Sequence, residues 1–311
     1  MKRFLVDTDT AGDDVTSLLF ALRWPGVSLE GITVVAGNVY LHEALENALY
    51  TVEISGRARV PVFPGADRPM LRSLVTAHEV HGEDGMGNSN FPKANQRPEK
   101  VHAVDAIVDT ADRWSGELEI IAQAPLTNLA LAVMKDPDLP KRVRRLWIMG
   151  GSNNSLGNIT PAAEFNFYVD PEAARIVLGA GFNTTVVPWD VCLKDGVLTR
   201  PELAPILKMK TKLSEFYLAV NRAAWEFNRT RVGGVDGITH PDSIMTAMAI
   251  DEEVILDRER YFVDVECCGS LTRGYSLVDE LRVLGKEANA EVVLRADKAK
   301  FKEMLARLLE D

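Results

Sequence analysis

Four aspartates, Asp7, Asp9, Asp13 and Asp14, fall within eight residues of the segment FLVDTDTAGDD. Carboxylates this close repel one another, and burying them is costly without positive charge or hydrogen-bond donors. Two forms of compensation are open. A helix starting near Asp13 offers backbone N–H groups and the positive end of its dipole, enough for one or two of the four. A hard divalent cation accounts for all of them, because Ca2+ and Mg2+ select carboxylate oxygens. Such a cation lowers the pKa of a bound water, and a neighbouring carboxylate can take the released proton.

The elements around this cluster alternate. Residues 3–7 read as a buried strand, and residues 13–23 carry apolar positions at helical spacing up to Pro25-Gly26. Strand patterns follow at 28–36, 60–65, 118–124, 145–151 and 183–190, with helical patterns at 41–55, 101–114, 126–135 and 171–180. Residues 201–229 read as one longer helical region, 261–267 and 290–296 as late strands, and 298–311 as a terminal helix. Short apolar strands alternating with helices predict a single α/β domain over residues 1–311, with a mostly parallel, Rossmann-like central sheet flanked by helices. Ligands of such sheets bind outside the carboxyl ends of the strands. Polar residues stand there: Asp7 and Asp9, Gly37-Asn38, Gln123-Ala124-Pro125, Gly150-Gly151 and Trp189-Asp190.

The net charge of −10 and the lack of any basic stretch argue against a nucleic-acid partner. Cys192, Cys267 and Cys268 show no CxxC spacing. The opening apolar run is three residues long, too short for a signal peptide, and no stretch reaches the roughly 18 apolar residues that a membrane span needs. A soluble, cytoplasmic protein is expected.

Two families place aspartates in this way. FLVDTDT resembles the first motif of haloacid-dehalogenase-type phosphatases, in which Asp7 would be the nucleophile and Mg2+ would assist. That family also wants a later lysine and a paired-acid motif, which have no convincing match here. DTDTAGDD resembles the signature of the inosine-uridine preferring nucleoside hydrolases, and this resemblance runs through nearly the whole chain. VVAGNV (34–39), HGEDGMGN (81–88), APLTNLALA (124–132), IMGGSNNSLGNITPAAEFNFYVDPEAA (148–174) and HPDSIMTAMAID (240–251) match that family's blocks in its order.

The second resemblance implies one Ca2+ held by Asp9, Asp14, Asp242 and the backbone carbonyl of Gln123. It implies hydrolysis of an N-ribosidic bond, with Asp9 as general base towards a water at the cation and an oxocarbenium-like sugar. Asp13, Asn38, Asn158, Glu164 and Asn166 are implied as ribose contacts, and Met149 as packing beneath the sugar. His81, in a Gly-rich stretch that the family uses as a mobile cover, is implied near the base or sugar. Relatives assemble as homodimers or homotetramers. A non-catalytic nucleoside or ribose binder is the third reading, opposed by the intact acids.

Residue types alone support parts of this assignment. Vicinal ribose hydroxyls suit Ca2+ with carboxylate and amide partners, and negative groups favour positive charge on the ring. In AAEFNFYV, period-two alternation puts Glu164 and Asn166 on one face and Phe165 and Phe167 on the other. Asp170-Pro171 reads as an N-cap followed by the first helical position. The chain departs from the family pattern at two places. Thr10-Ala11 replaces the usual Pro-Gly, and Pro241 precedes Asp242 where His or Trp is usual. His240 becomes the candidate acid for the leaving base, and Trp225, with Phe227 and Trp189, the candidate aromatic for the base pocket.

Overall fold

Alternate apolar residues along the strands point to opposite faces, and both faces are covered by helices. The computed structural model describes residues 1–57, 59–230 and 234–310. Its strands are β1 (Lys2–Thr8), β2 (Val27–Val34), β3 (Val62–Pro64), β4 (Leu118–Ala122), β5 (Arg145–Met149), β6 (Thr184–Val187), β7 (Val197–Thr199), β8 (Gly237–Thr239), β9 (Ile255–Tyr261), β10 (Val263–Val265), β11 (Ser276–Val278) and β12 (Ala290–Ala296). Eight form one sheet in the order β3-β2-β1-β4-β5-β6-β12-β9, parallel except where β9 pairs antiparallel with β12. β7–β8 and β10–β11 are two small antiparallel ribbons.

Phe4 and Val6 of β1, Ile121 of β4 and Trp147 of β5 enter one core, with Phe20 and Phe301 from helices. Leu5, Ile120, Leu146 and Ile148 enter the other. This is the single α/β domain expected, and its order 3-2-1-4-5-6 reverses direction between β1 and β4. Register brings the strand ends level there: Asp7 pairs with Thr33 and Ala122, and Ala122 with Ile148. The acids therefore emerge at the topological switch point, where a crevice opens in sheets of this type.

Three local expectations change. The region 201–229 is three helices, Ala204–Lys208, Lys212–Val220 and Arg222–Thr230, because Thr211 caps the second by accepting from the Ser214 N–H (3.0 Å). The late strand expected at 261–267 shortens to β10, and β9 (ILDRERY) before it is not anticipated, being a mostly exposed, charged edge that carries no apolar alternation. The segment after Glu164 is a helix, Phe165–Val169, not a period-two strand. Asp170 caps the following Pro171–Gly179 helix as read from sequence, accepting from the Ala173 N–H (3.1 Å). Among the described residues, no helix is long and apolar enough to cross a membrane.

Candidate active site

Asp9 lies just beyond β1 and is fully buried. Its carboxylate accepts from the Asn38 backbone N–H (2.5 Å) and the Asn38 side-chain amide (3.2 Å). That same amide also donates to Asp14 (3.2 Å), so Asn38 spans the two acids. Asp14 further accepts from Thr8 Oγ1 (2.8 Å), the Ala11 N–H (3.2 Å) and Gln123 Nε2 (2.9 Å). The Gln123 side chain also accepts from Ser17, which pairs with Thr246 at 2.6 Å. Sequence reasoning assigned Gln123 a carbonyl role only and missed Thr8, Ser17 and the Gln123 amide.

Asp13 does not cap its own helix. Its Oδ2 accepts from the Asp242 and Ser243 backbone N–H groups (2.9 Å each), and its Oδ1 from Ser243 Oγ (2.7 Å). It is thus a capping group, supplied from another part of the chain, for the Pro241–Ile250 helix, which has His240 at its N-cap and no side-chain cap of its own. The sequence does carry that signal: Pro at the first helical position preceded by His, where Ser, Thr, Asp or Asn is expected. The cap seats Asp242 beside the first cluster. Among the described residues the Asp242 carboxylate accepts no hydrogen bond, and no Lys or Arg pairs with Asp9, Asp13, Asp14, Asp242 or Glu164.

Burial drives the electrostatics. It raises Asp13 and Asp14 to about 6, and raises Asp9 and Asp242 well above the usual carboxylate range. Repulsion adds to burial at three of them: Asp14 acts on Asp9, Asp13 on Asp14, and Asp14, Asp13, Asp9 and Glu164 on Asp242. The donor set suits a hard divalent cation: all oxygen, buried, mutually repelling, with one carboxylate that lacks any hydrogen-bond donor. Among the described residues no three acidic, His or Cys side chains form a finished ligand set. The Asn38 amide contacts both Asp9 and Asp14.

Glu164 caps the Phe165–Val169 helix. It accepts from the Asn166 (2.9 Å), Gly151 (2.8 Å) and Phe167 (3.2 Å) N–H groups, and burial raises it to about 7. Its link to Gly151 ties this helix to the end of β5. Asn166 donates to the Met149 carbonyl (3.0 Å) and packs near its sulfur, so these two expected contacts meet. Asn158 is exposed on the 151–163 loop, and no hydrogen bond joins its side chain to the acids.

Gly37 shows how tightly Asp9 is held. A Cβ there would lie 2.1 Å from Asp9 Oδ2 and 2.8 Å from Pro125 Cδ. Gly37→Ala is expected to push Asp9 off its Asn38 donors and lower kcat about tenfold to a hundredfold. Steady-state kinetics beside a urea melt checks this; an unchanged kcat in a folded variant contradicts it.

His240 corrects one expectation. It is fully buried: Nδ1 donates to the Gly196 carbonyl (3.0 Å), and Nε2 takes the Tyr217 hydroxyl (2.7 Å). Tyr217 stacks on the ring, Phe301 meets it edge-on, and burial lowers it to about 4. Both nitrogens are committed to the core, so His240 is not placed to protonate a leaving base. Tyr217→Phe is expected to cost about 1–3 kcal/mol in urea unfolding by orphaning Nε2. The rate ratio between inosine and an activated aryl riboside should stay at the native value; a shifted ratio would restore an acid role to His240.

His81 does reach the site's edge. Its ring lies over Gly12 (φ +53°), where a Cβ would sit 2.3 Å from Nδ1. Nδ1 is buried without a partner, and burial lowers the ring to about 4, with His78 adding to it. Trp225 and Phe227 line a cavity of about 830 Å³ bounded by Gly87, Asn88 and Arg222; Asp9, Asp13, Asp14, Asp242 and Glu164 do not line it. Trp225 Nε1 donates to Asp236 Oδ1 (2.8 Å), leaving its ring as the contact surface. Trp189 packs partly buried against the first core.

Asp7 separates the two enzyme readings. It lies on the Leu5 face of β1, fully buried, and accepts from Thr33 Oγ1 (2.6 Å) and Asn128 Nδ2 (2.8 Å). Its carboxylate bonds to the sheet and to the Thr127–Lys135 helix that carries Asn128, and it takes no part in the Asn38 bridge that joins Asp9 to Asp14.

A doubly wound α/β domain that gathers buried acids at its switch point has the layout of an α/β ligand-binding crevice. The chain matches the family described as "Inosine-uridine preferring nucleoside hydrolase" over residues 4–303. It is 33% identical to a "Pyrimidine-specific ribonucleoside hydrolase RihA" of Citrobacter koseri, across 98% of this chain and 97% of that one. It superposes on "Plant nucleoside hydrolase - PpNRh1 enzyme" with a TM-score of 0.93 and 29% identity, covering 99% of each chain. A "Purine-Preferring Ribonucleoside Hydrolase from Gardnerella vaginalis" gives 0.91 and 26%, again covering 99% of each. The chain belongs to the inosine-uridine preferring nucleoside hydrolase family, whose members hydrolyse N-glycosyl bonds.

Proposed function

We propose that this enzyme splits ribonucleosides into free base and ribose, with Ca2+ held by Asp9, Asp14, Asp242 and the Gln123 carbonyl. The observation that carries the proposal is the set of buried acids at the switch point, without a cationic side-chain partner among the described residues. When bound, the cation would acidify water and grip the vicinal hydroxyls of the sugar. Asp9, fixed by Asn38, takes the proton from the attacking water. The surrounding carboxylates favour the positive charge that develops on the ring at C1′. Asp13 keeps one acceptor direction on Oδ1 beyond its bonds to Asp242 and Ser243, and Asn166 keeps its carbonyl oxygen, for ribose hydroxyls. Glu164 fixes the Gly150-Gly151 turn beneath them. The N–C1′ bonding pair leaves with the base, which departs towards Trp225 and Phe227 and takes its proton from solvent. A cytoplasmic homodimer or homotetramer in nucleoside catabolism completes the reading.

Relatives named for pyrimidine and for purine preference match this chain comparably, so the test must span both. A panel of common nucleosides is incubated with the enzyme and read by chromatography. Released base with equimolar ribose is expected from at least one; intact nucleosides throughout would overturn the proposal, and binding without release would favour a non-catalytic binder.

A further inference from the structure

The acids that would do the chemistry are closed off. Asp9 and Asp14 are fully buried, and Asp13, Asp242 and Glu164 are at most 6% exposed. A ribosyl group reaches them only if something moves, and the 81–88 loop lies directly over the Asp9–Asp14 turn. The Gly12 N–H donates to the Gly85 carbonyl (3.0 Å), and Asn47 donates to both Thr10 O and Asp84 O (3.0 Å each). The loop is a compact unit. Asp84 accepts from the Met86 and Asn88 N–H groups (2.8 Å each), and Gly82, Gly85, Gly87 and Asn88 all have positive φ. Its far side rests flush on the Ala219–Val220 backbone: a Cβ on Gly87 would lie 2.2 Å from the Ala219 carbonyl.

One side chain grips the loop there. Arg222, the first residue of the Arg222–Thr230 helix, donates Nε (3.2 Å) and Nη2 (2.7 Å) to the Gly87 carbonyl and Nη2 (3.1 Å) to the Asn88 carbonyl. A guanidinium fork across two successive carbonyls is a directional, charge-assisted clamp that lysine cannot copy. Arg222 also lines the cavity that holds Trp225 and Phe227. We propose that Arg222 is a positioning residue, a latch that holds the 81–88 loop closed over the acids and links its closure to the cavity beside it. Opening breaks the Arg222 fork, while the Asp84-centred turn moves as one piece. In its kinetic consequence this rests on the nucleoside reading; in its conformational consequence it does not.

The test compares native chain, Arg222→Ala, Arg222→Lys and Gly87→Ala. Gly87→Ala prises the loop off the Ala219 carbonyl while leaving the Arg222 side chain in place. Hydrogen exchange of residues 81–88 is expected to rise about tenfold in all three variants, with the rest of the sheet unchanged. With any nucleoside turned over, KM should rise about tenfold and kcat stay within about twofold, because closure becomes part of the binding cost. Native exchange in Arg222→Ala, or native exchange in Arg222→Lys, would overturn the latch. So would a fall in kcat at constant KM. A native enzyme inert towards all nucleosides would remove the proposed function, yet the exchange result would still decide the latch.

Discussion

Asp9→Asn is expected to lower kcat by at least about a thousandfold while leaving the fold intact, the upper part of what a positioned general base contributes. Asparagine has nearly the same shape and can keep one acceptor towards Asn38, but it cannot take a proton from water. Asp9 is fully buried and held by two Asn38 donors, so no neighbouring acid can swing into its place without breaking other bonds. Asp14 is tied to Thr8, Ala11 and Gln123, and Asp13 to the Pro241–Ile250 helix. Single-turnover kinetics with an activated aryl riboside, alongside thermal melting, checks this. A folded variant that retains more than about a tenth of the native rate would take Asp9 out of the mechanism.

Removing the cation is expected to have a comparable effect. Several kcal/mol of transition-state stabilisation converts to a loss of about a hundredfold to ten-thousandfold. Chelated, exhaustively dialysed enzyme should be inactive, and Ca2+ should restore the rate. Stability gives a second readout, because a ligand that binds only the folded chain stabilises it by about 2.7 kcal/mol at one hundred times its Kd. For a chain of this size that is a rise of several degrees in Tm. The sign follows from the site: buried acids that raise one another's proton affinity are relieved by positive charge. Unchanged rate and Tm after stripping would remove the cation from the account.

Much of this was legible in sequence because the signals were local. FLVDTDT announces a buried strand ending in acids, and the strand ends carrying Asn38, Gln123 and Met149 fall at one sheet edge because parallel strands align their carboxyl ends. What escaped was set by tertiary contacts. Asp13 is sequentially a residue of its own helix, yet it serves a helix that begins 228 positions later at Pro241, a relation visible only as a missing cap at His240. His240 itself looks reactive beside Asp242, but Tyr217 and Gly196 draw both nitrogens into the core. The EFNF alternation suggested a strand because a short helix capped by Glu164 shows too few turns to reveal its period. The Arg222 fork joins loop and helix segments over 130 residues apart and leaves no local mark.

The measurement closest to the central claim is diffraction from a crystal of the enzyme grown with Ca2+. The account predicts a single strong anomalous peak contacted by Asp9, Asp14 and Asp242, with the Gln123 carbonyl completing the protein ligands. A well-ordered map without a cation among those acids, or with Asp242 turned away from Asp9 and Asp14, would contradict it.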